Sequence, residues 1–271
     1  MRYKTIVLDL DGTLTNSQKE LSERNRTTLI EAQQQGATVV LASGRPTYGI
    51  EPIAGALELK HYGGYILSYN GGVIIDCKTG EAIYQNTLPE HLIEPLYSAS
   101  KEAGCTILSY DKEVIFSEQD DTQNRYVEHE AFLNKMSVRR CNSFLSEVYE
   151  PLPKCLTVGD PELIIELEKS LIKEYGSEMS IYRSEPFFLE LVPLGIDKAQ
   201  SLERLLNHTG GKREEMVAFG DGFNDLSMVE YAGCGVAMAN AQPILLERAN
   251  ETTLSNDEDG VALWIETNIL S

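Results

Sequence analysis

The sequence predicts an α/β fold: a Rossmann-like core on a largely parallel sheet, with a second α/β module inserted into it. Three observations carry this. Short apolar runs alternate with helix-like segments, as in parallel sheets covered on both faces. Polar, glycine-bearing clusters follow several of those runs, at the carboxyl ends of strands where open α/β sheets bind ligands. The patterning also changes after about Thr87 and returns at Lys198, which divides the chain into a core of 1–84 plus 194–271 and an insert of 85–193.

The first run, Thr5-Ile6-Val7-Leu8, reads as a buried strand. A helix follows from about Ser22, a plausible N-cap, to Gln35, with Gly36 as its stop. Ala37–Ala42 reads as the second strand, Ile50–Leu57 as a helix and Tyr65–Ser68 as the third strand. Val73–Ile75 and Ala82–Tyr84 flank Lys78-Thr79-Gly80 as a hairpin. Within the insert, a helix near Glu90–Ala103 carries Pro95, which predicts a late start or a bend. Strands are expected at Thr106–Tyr110, Glu113–Phe116, Lys154–Val158, Ser180–Arg183 and Phe187–Val192. Asp160-Pro161 reads as an N-cap with proline at the first helical position, opening a helix that runs to Tyr175. The core resumes with a helix at Lys198–Asn207, a strand at Met216–Phe219, a helix near Asp225–Ala232 and a strand at Gly235–Met238.

The chain has 271 residues, 42% of them hydrophobic and 24% charged, and a formal net charge of −19. So acidic a chain argues against wrapping nucleic acid or docking on an anionic bilayer, since both need a cationic face, although cations gathered in one pocket could still hold a phosphorylated small molecule. No run is long and apolar enough for a membrane span, and the N-terminus does not read as a signal peptide. Cys77, Cys105, Cys141, Cys155 and Cys234 are widely spaced and form no C-x-x-C pair. They are read as reduced thiols of a cytoplasmic protein. His61, His91, His129 and His208 are scattered and suggest no site. Gly220-x-Gly222 lacks the third glycine of a dinucleotide fingerprint, and Glu118–Asp121 reads as a solvated loop.

The chemistry is expected in Asp9-Leu10-Asp11-Gly12-Thr13, Ser43-Gly44-Arg45, Asn70-Gly71 and Gly220–Asp225, with Lys198 nearby. If their strands are neighbours, Asp9, Asp11, Asp221 and Asp225 converge, and such a cluster needs cations to stay ionised. An all-oxygen site of this kind suits Mg²⁺, with Lys198 as a second positive charge. One of Asp9 and Asp11 can be a nucleophile and the other an acid and base. Backbone N–H groups at Leu10–Thr13 and the Ser43 hydroxyl can bind phosphoryl oxygens.

Asp9-Leu10-Asp11-Gly12-Thr13-Leu14 resembles the first motif of the haloacid dehalogenase superfamily phosphatases. Ser43, Lys198 and Gly220–Asp225 match its second, third and fourth motifs in order. The long insert is similar to the α/β cap of the Cof-type subfamily. Arg183–Glu190 and Glu230–Met238 resemble the YidA-like sugar phosphatases within it. The resemblance implies that Asp9 attacks phosphorus to form an aspartyl-phosphate, and that Asp11 protonates the leaving alcohol and then activates water. It implies Mg²⁺ held by the Asp11 carbonyl and the Asp9 and Asp221 carboxylates. Asp225 would hold a metal-bound water or orient Lys198, while Ser43 and Lys198 would stabilise the transferring phosphoryl group. Gly44 and Asn224 are expected to add phosphate contacts. Asn70 and Gly71 are either substrate contacts or a tight turn, and Arg45 either meets the substrate or cap or fixes its loop by a salt bridge. Arg183, with Glu185 and Tyr48, is a candidate for reading the leaving group. Cap closure is expected to hinge near Tyr84–Pro89 and Val192–Gly195.

The expected activity is Mg²⁺-dependent hydrolysis of phosphate monoesters of small metabolites such as sugar phosphates. Two other readings stay open: phosphoryl transfer to a second alcohol by a phosphotransferase or phosphomutase, and a non-catalytic metal- or phosphate-binding regulator. The residues do not set the oligomeric state.

Overall fold

A computed structural model describes residues 2–118, 124–148 and 151–271. In chain order it contains β1 (Thr5–Leu8), α1 (Glu23–Gln34), β2 (Thr38–Ala42), α2 (Thr47–Ala56), α3 (Leu59–Tyr62), β3 (Tyr65–Ser68), β4 (Val73–Asp76) and β5 (Glu81–Gln85). Next come α4 (Glu90–Glu102), β6 (Thr106–Asp111), β7 (Val114–Glu118), α5 (Asn124–Asn134), β8 (Ser137–Cys141), α6 (Phe144–Glu147), β9 (Cys155–Val158), α7 (Pro161–Tyr175), β10 (Met179–Glu185) and β11 (Phe188–Pro193). The chain closes with α8 (Lys198–Thr209), β12 (Met216–Gly220), α9 (Leu226–Tyr231), β13 (Cys234–Ala237), α10 (Pro243–Arg248), β14 (Glu251–Thr252) and α11 (Gly260–Asn268). It divides into two compact units, Met1–Tyr84 with Asp197–Ser271, and Gln85–Ile196. Leu194–Ile196, expected with the first unit, fall in the second.

The first unit is built on a sheet of order β14-β13-β12-β1-β2-β3-β4-β5. It is parallel from β14 to β3 and turns antiparallel at β4. Side chains alternate across a strand, so each inner strand feeds two cores. Ile6, Leu8, Val39, Leu41, Val217 and Phe219 meet Leu29 of α1, Ile50 of α2 and Trp264 of α11 on one side. Val7, Val40, Met216 and Ala218 meet Leu202 and Leu205 of α8, Met228 of α9 and Leu245 of α10 on the other. A strand buried on both faces reads as a continuous apolar run, which is why β1, β2 and β12 were legible. Leu8 lies opposite both Phe219 and Leu41, and Leu67 opposite Ala42. The residues that follow these strands therefore leave the sheet along one edge.

The second unit has the sheet order β10-β11-β9-β6-β7-β8, antiparallel except for the β7–β8 pair. Leu92 and Leu96 of α4, Phe144 of α6, and Ile164, Leu167 and Leu171 of α7 pack with Ile107, Cys155, Leu189 and Leu191 on one face.

Local expectations fail where a side chain finds a distant partner. Pro95 does not delay α4, which starts at Glu90. The carbonyl deprived of a donor belongs to exposed His91, where water can serve it. Asp160 sits at the N-cap of α7 but makes no side-chain cap bond. Its carboxylate instead takes Arg125 and the Tyr126 hydroxyl. Glu118 is no solvated loop residue: it ends β7 and accepts from Tyr97 Oη, Lys101 Nζ and the Phe144 amide. The rest of that run, Gln119–Asp121, lies outside the described residues. Helix α2 starts at Thr47 rather than Ile50, because Gly49 and Pro52 disguise its first turns. Helix α11 was missed because Val261, Ala262, Trp264 and Ile265 are all buried, leaving no polar stripe to mark a helical period.

Candidate active site

The turn after β1 brings the chain back on itself. The Leu14 amide donates to Asp9 O (3.3 Å), and the Thr15 amide and hydroxyl donate to Leu10 O (2.9 and 2.8 Å). Gly12 makes the turn possible at φ +87°, and a Cβ there would stand 2.4 Å from Asp221 Oδ2. Thr13 Oγ1 donates to Asp221 Oδ1 (2.7 Å), and Asn240 Nδ2 donates to Gly12 O (2.8 Å). These contacts bind the loop after β1 to the loops after β12 and β13.

Between the two loops lies Lys198, the first residue of α8, almost fully buried. Its ammonium donates to Asp9 Oδ1 (2.7 Å), Asp225 Oδ1 (2.6 Å) and the Ala42 carbonyl (2.8 Å). Its three donors therefore all find acceptors. Burial alone would lower the Lys198 pKa, but the Asp225 and Asp9 charges outweigh it and hold the ammonium protonated. Burial, with the Asp225 charge adding to it, drives Asp9 well above the ordinary carboxyl range, against the pull of Lys198. Asp221 is pushed up to about 6, by burial first and the Asp225 charge in addition, against the Thr13 hydrogen bond.

Asp9, Asp221 and Asp225 each offer an oxygen lying within 4.8 Å of the others. Asp225 is already committed, with Oδ1 on Lys198 and Oδ2 accepting from the Asp221 and Gly222 amides (3.0 and 2.9 Å). Asp9 and Asp221 each use Oδ1 and keep Oδ2 for another partner. Two hard, anionic oxygens on a rigid frame, with pKa values raised by burial and by the neighbouring Asp225 charge, fit a divalent cation such as Mg²⁺.

Asp11, expected to ligate through its backbone carbonyl, does not bring its carboxylate into this trio. Its carboxylate turns to Arg45, which grips it through both Nε (2.7 Å to Oδ2) and Nη2 (2.6 Å to Oδ1), and Lys19 Nζ lies 2.8 Å from Oδ1. Burial would raise its pKa, but the bonds and charges of Arg45 and then Lys19 hold it below the ordinary value. Of the two readings of Arg45, the salt bridge to its neighbouring loop is the one observed. Lys19 was missed, and no local signal marks it.

Ser43 accepts the Arg45 amide on Oγ (3.2 Å), and its carbonyl accepts the Asn70 amide (2.9 Å). Asn70 takes a left-handed φ of +56° and accepts Asn224 Nδ2 on its side-chain oxygen (3.0 Å). Gly44 passes close to that side chain: a Cβ there would lie 3.2 Å from Asn70 Nδ2. Ser43, Gly44, Asn70 and Asn224 are thus gathered with the acidic cluster. Gly71 is demanded by packing, since at φ +95° a Cβ would meet Ser201 Oγ at 2.3 Å. Arg183 lies in β10 of the second unit, where Nε donates to Glu168 (2.8 Å).

Comparison with known proteins agrees with this frame. The pattern of the haloacid dehalogenase-like hydrolases matches residues 6–265. The chain is 32% identical to YxeH of Bacillus subtilis (strain 168) over 99% of each. It is 29% identical to the 5-amino-6-(5-phospho-D-ribitylamino)uracil phosphatase YitU of the same organism over 96% of each. A solved haloacid dehalogenase-like hydrolase from Bacteroides thetaiotaomicron is 53% identical, with a TM-score of 0.95 over 98% of this chain and 99% of that one. No helix among the described residues is long and apolar enough to cross a membrane. A match across nearly the whole chain, with the four motif segments meeting on one sheet edge, makes this protein a phosphatase-type hydrolase, and it belongs to the haloacid dehalogenase-like hydrolase family.

Proposed function

We propose that the protein hydrolyses phosphate monoesters of small metabolites, sugar phosphates among them, with Mg²⁺ and through a phosphoryl group carried on Asp9. The observation that carries this reading is the convergence of Asp9, Asp221 and Asp225 around Lys198. An Asp9 carboxylate oxygen forms the new bond to phosphorus while the ester P–O bond breaks, and the leaving alcohol takes its proton from Asp11. Water then attacks, giving its proton to Asp11, and the electron pair of the breaking Asp9–phosphate bond returns to the Asp9 carboxylate. Asp11 regains in the second step the proton it gave in the first. Lys198 and Ser43 are proposed to stabilise charge on the transferring group, where preorganised donors count most. Gly44, Asn70 and Asn224 would shape the phosphate pocket.

Asp9, Asp221 and the Asp11 carbonyl would hold the cation, with Asp225 keeping Lys198 and the β12 loop in place. When bound, Mg²⁺ supplies positive charge beside Asp9. A sugar-type leaving group is supported by the motif resemblance, and the name of YitU points to a phosphorylated ribityl chain. The reading is tested with p-nitrophenyl phosphate and a panel of sugar phosphates, with Mg²⁺ or with chelator. Phosphate release should need the cation, and Asp9→Asn should lower kcat by at least about a thousandfold. Undiminished turnover by Asp9→Asn defeats it, and phosphate appearing on a second alcohol rather than in water would redirect it to phosphoryl transfer.

A further inference from the structure

We infer that Asn240 is a positioning residue for the cation site: its side chain holds the glycine turn that follows Asp11, so that the loop after β1 keeps the shape a divalent ion needs. This rests on the reading of Asp9, Asp221 and the Asp11 carbonyl just given.

Gly12 has no room for a side chain, because a Cβ would stand 2.4 Å from Asp221 Oδ2. The same absence frees its backbone from the steric limits that hold other residues, and at φ +87° it lies in a region that glycine enters and leaves easily. A contact from outside must therefore fix the turn. Thr13 Oγ1 on Asp221 Oδ1 holds the residue after it. The Gly12 carbonyl itself accepts Asn240 Nδ2 at 2.8 Å, and among the described residues no other donor reaches it. The Asp11 carbonyl carbon is bonded to the Gly12 nitrogen, so a hold on the far side of Gly12 limits how far that carbonyl can swing.

Asn240 is exposed in the loop after β13, yet it is held in turn: its side-chain oxygen accepts the Asn256 amide (3.1 Å). A carbonyl only accepts and a backbone amide only donates, so the side chain between them must offer one donor and one acceptor, which asparagine does and aspartate does not. Asn256 is buried, and its own Nδ2 donates to Thr15 O (2.9 Å). The two asparagines thus grip the β1 loop at Gly12 and at Thr15. The segment that carries Asn240 is also tied to the loop after β12. The Met238 amide donates to Gly220 O (3.1 Å) and the Gln242 amide to Asp221 O (2.8 Å). One short stretch, 238–242, therefore secures both loops from which the cation would take its oxygens. Contacts one step behind a ligand typically govern metal affinity by roughly ten- to a hundredfold.

The experiment compares wild type with Asn240→Ala and Asn240→Asp. Mg²⁺ is titrated calorimetrically into substrate-free protein, and p-nitrophenyl phosphate turnover is followed against Mg²⁺ concentration. Asn240→Ala should raise the Mg²⁺ dissociation constant about tenfold, with kcat at saturating Mg²⁺ within about threefold of wild type. Asn240→Asp is the sharper variant. It keeps an acceptor for the Asn256 amide but sets an anionic oxygen against the Gly12 carbonyl. For a bystander, the added negative charge beside an acidic site would tighten Mg²⁺ binding; a positioning residue should weaken it despite that charge. A rise of under about threefold in Asn240→Ala, a constant in Asn240→Asp at or below that of wild type, or a loss of kcat that saturating Mg²⁺ does not restore overturns the proposal. Circular dichroism checks that each variant is folded at the titration temperature. If Asn240→Ala does not fold, the nearly isosteric Asn240→Asp is judged by the same outcomes. Should wild type bind no Mg²⁺ and turn over equally well in chelator, the underlying reading of the cation site has failed, and this proposal with it.

Discussion

Replacing Lys198 with Met removes the one cation between Asp9 and Asp225 and leaves three acceptors without their donor. Breaking a buried ion pair from one side costs roughly 3–5 kcal/mol, because the partner charge stays behind in a poor solvent. The two pairs share one ammonium, so the cost is not doubled, and it is capped once a carboxylate takes up a proton. At about 2–4 °C per kcal/mol for a domain of this size, the melting temperature should fall by roughly 6–20 °C. Without the ammonium, the folded-state pKa of Asp9, already raised by burial and the Asp225 charge, rises further above its unfolded value. Stability is then retained at low pH and lost as pH rises through that folded value. The gap between wild type and variant should therefore widen from pH 5 to pH 8. Thermal melts of both proteins at the two pH values, in chelator so that no divalent ion replaces the ammonium, check this. A gap of equal size at both values, or one under about 2 °C, refutes the electrostatic account of the cluster.

Three further outcomes follow from contacts elsewhere. Gly12→Ala must fit a Cβ 2.4 Å from Asp221 Oδ2 at φ +87°, so the Mg²⁺ concentration for half-maximal turnover should rise at least about tenfold, as a metal titration would read. In the second unit Lys154 is buried with Nζ 2.8 Å from Glu190 Oε2. Lys154→Met should cost about 3–5 kcal/mol in urea unfolding, and adding Glu190→Leu should recover part of it. Glu130, beneath the Tyr110 hydroxyl (2.7 Å), is raised by burial against the pull of Lys154. A raised carboxyl stabilises below its unfolded pKa and loses that contribution as pH climbs through the folded one, so Glu130→Gln should melt closer to wild type, or above it, at pH 8 than at pH 5.

The sequence by itself determined which segments form the core sheet and which of them carry chemistry. Strands buried on both faces must be apolar throughout, and the groups at their carboxyl ends must be polar, so Asp9, Ser43 and Asp221 stand out against the runs before them. The order of the strands and the partner of each charge were decided by tertiary structure alone. Lys198 reaches Asp9 across 189 residues of chain, and that meeting follows from β12 pairing with β1 and from α8 packing behind them. Asp11 reads in sequence as the twin of Asp9. In space one twin lies buried on Lys198, and the other is gripped by Arg45 and Lys19. Local pattern encodes burial and backbone period, which repeat over a few residues. A charge's partner and its remaining lone pairs depend on where distant segments are set down, and no local spacing encodes that.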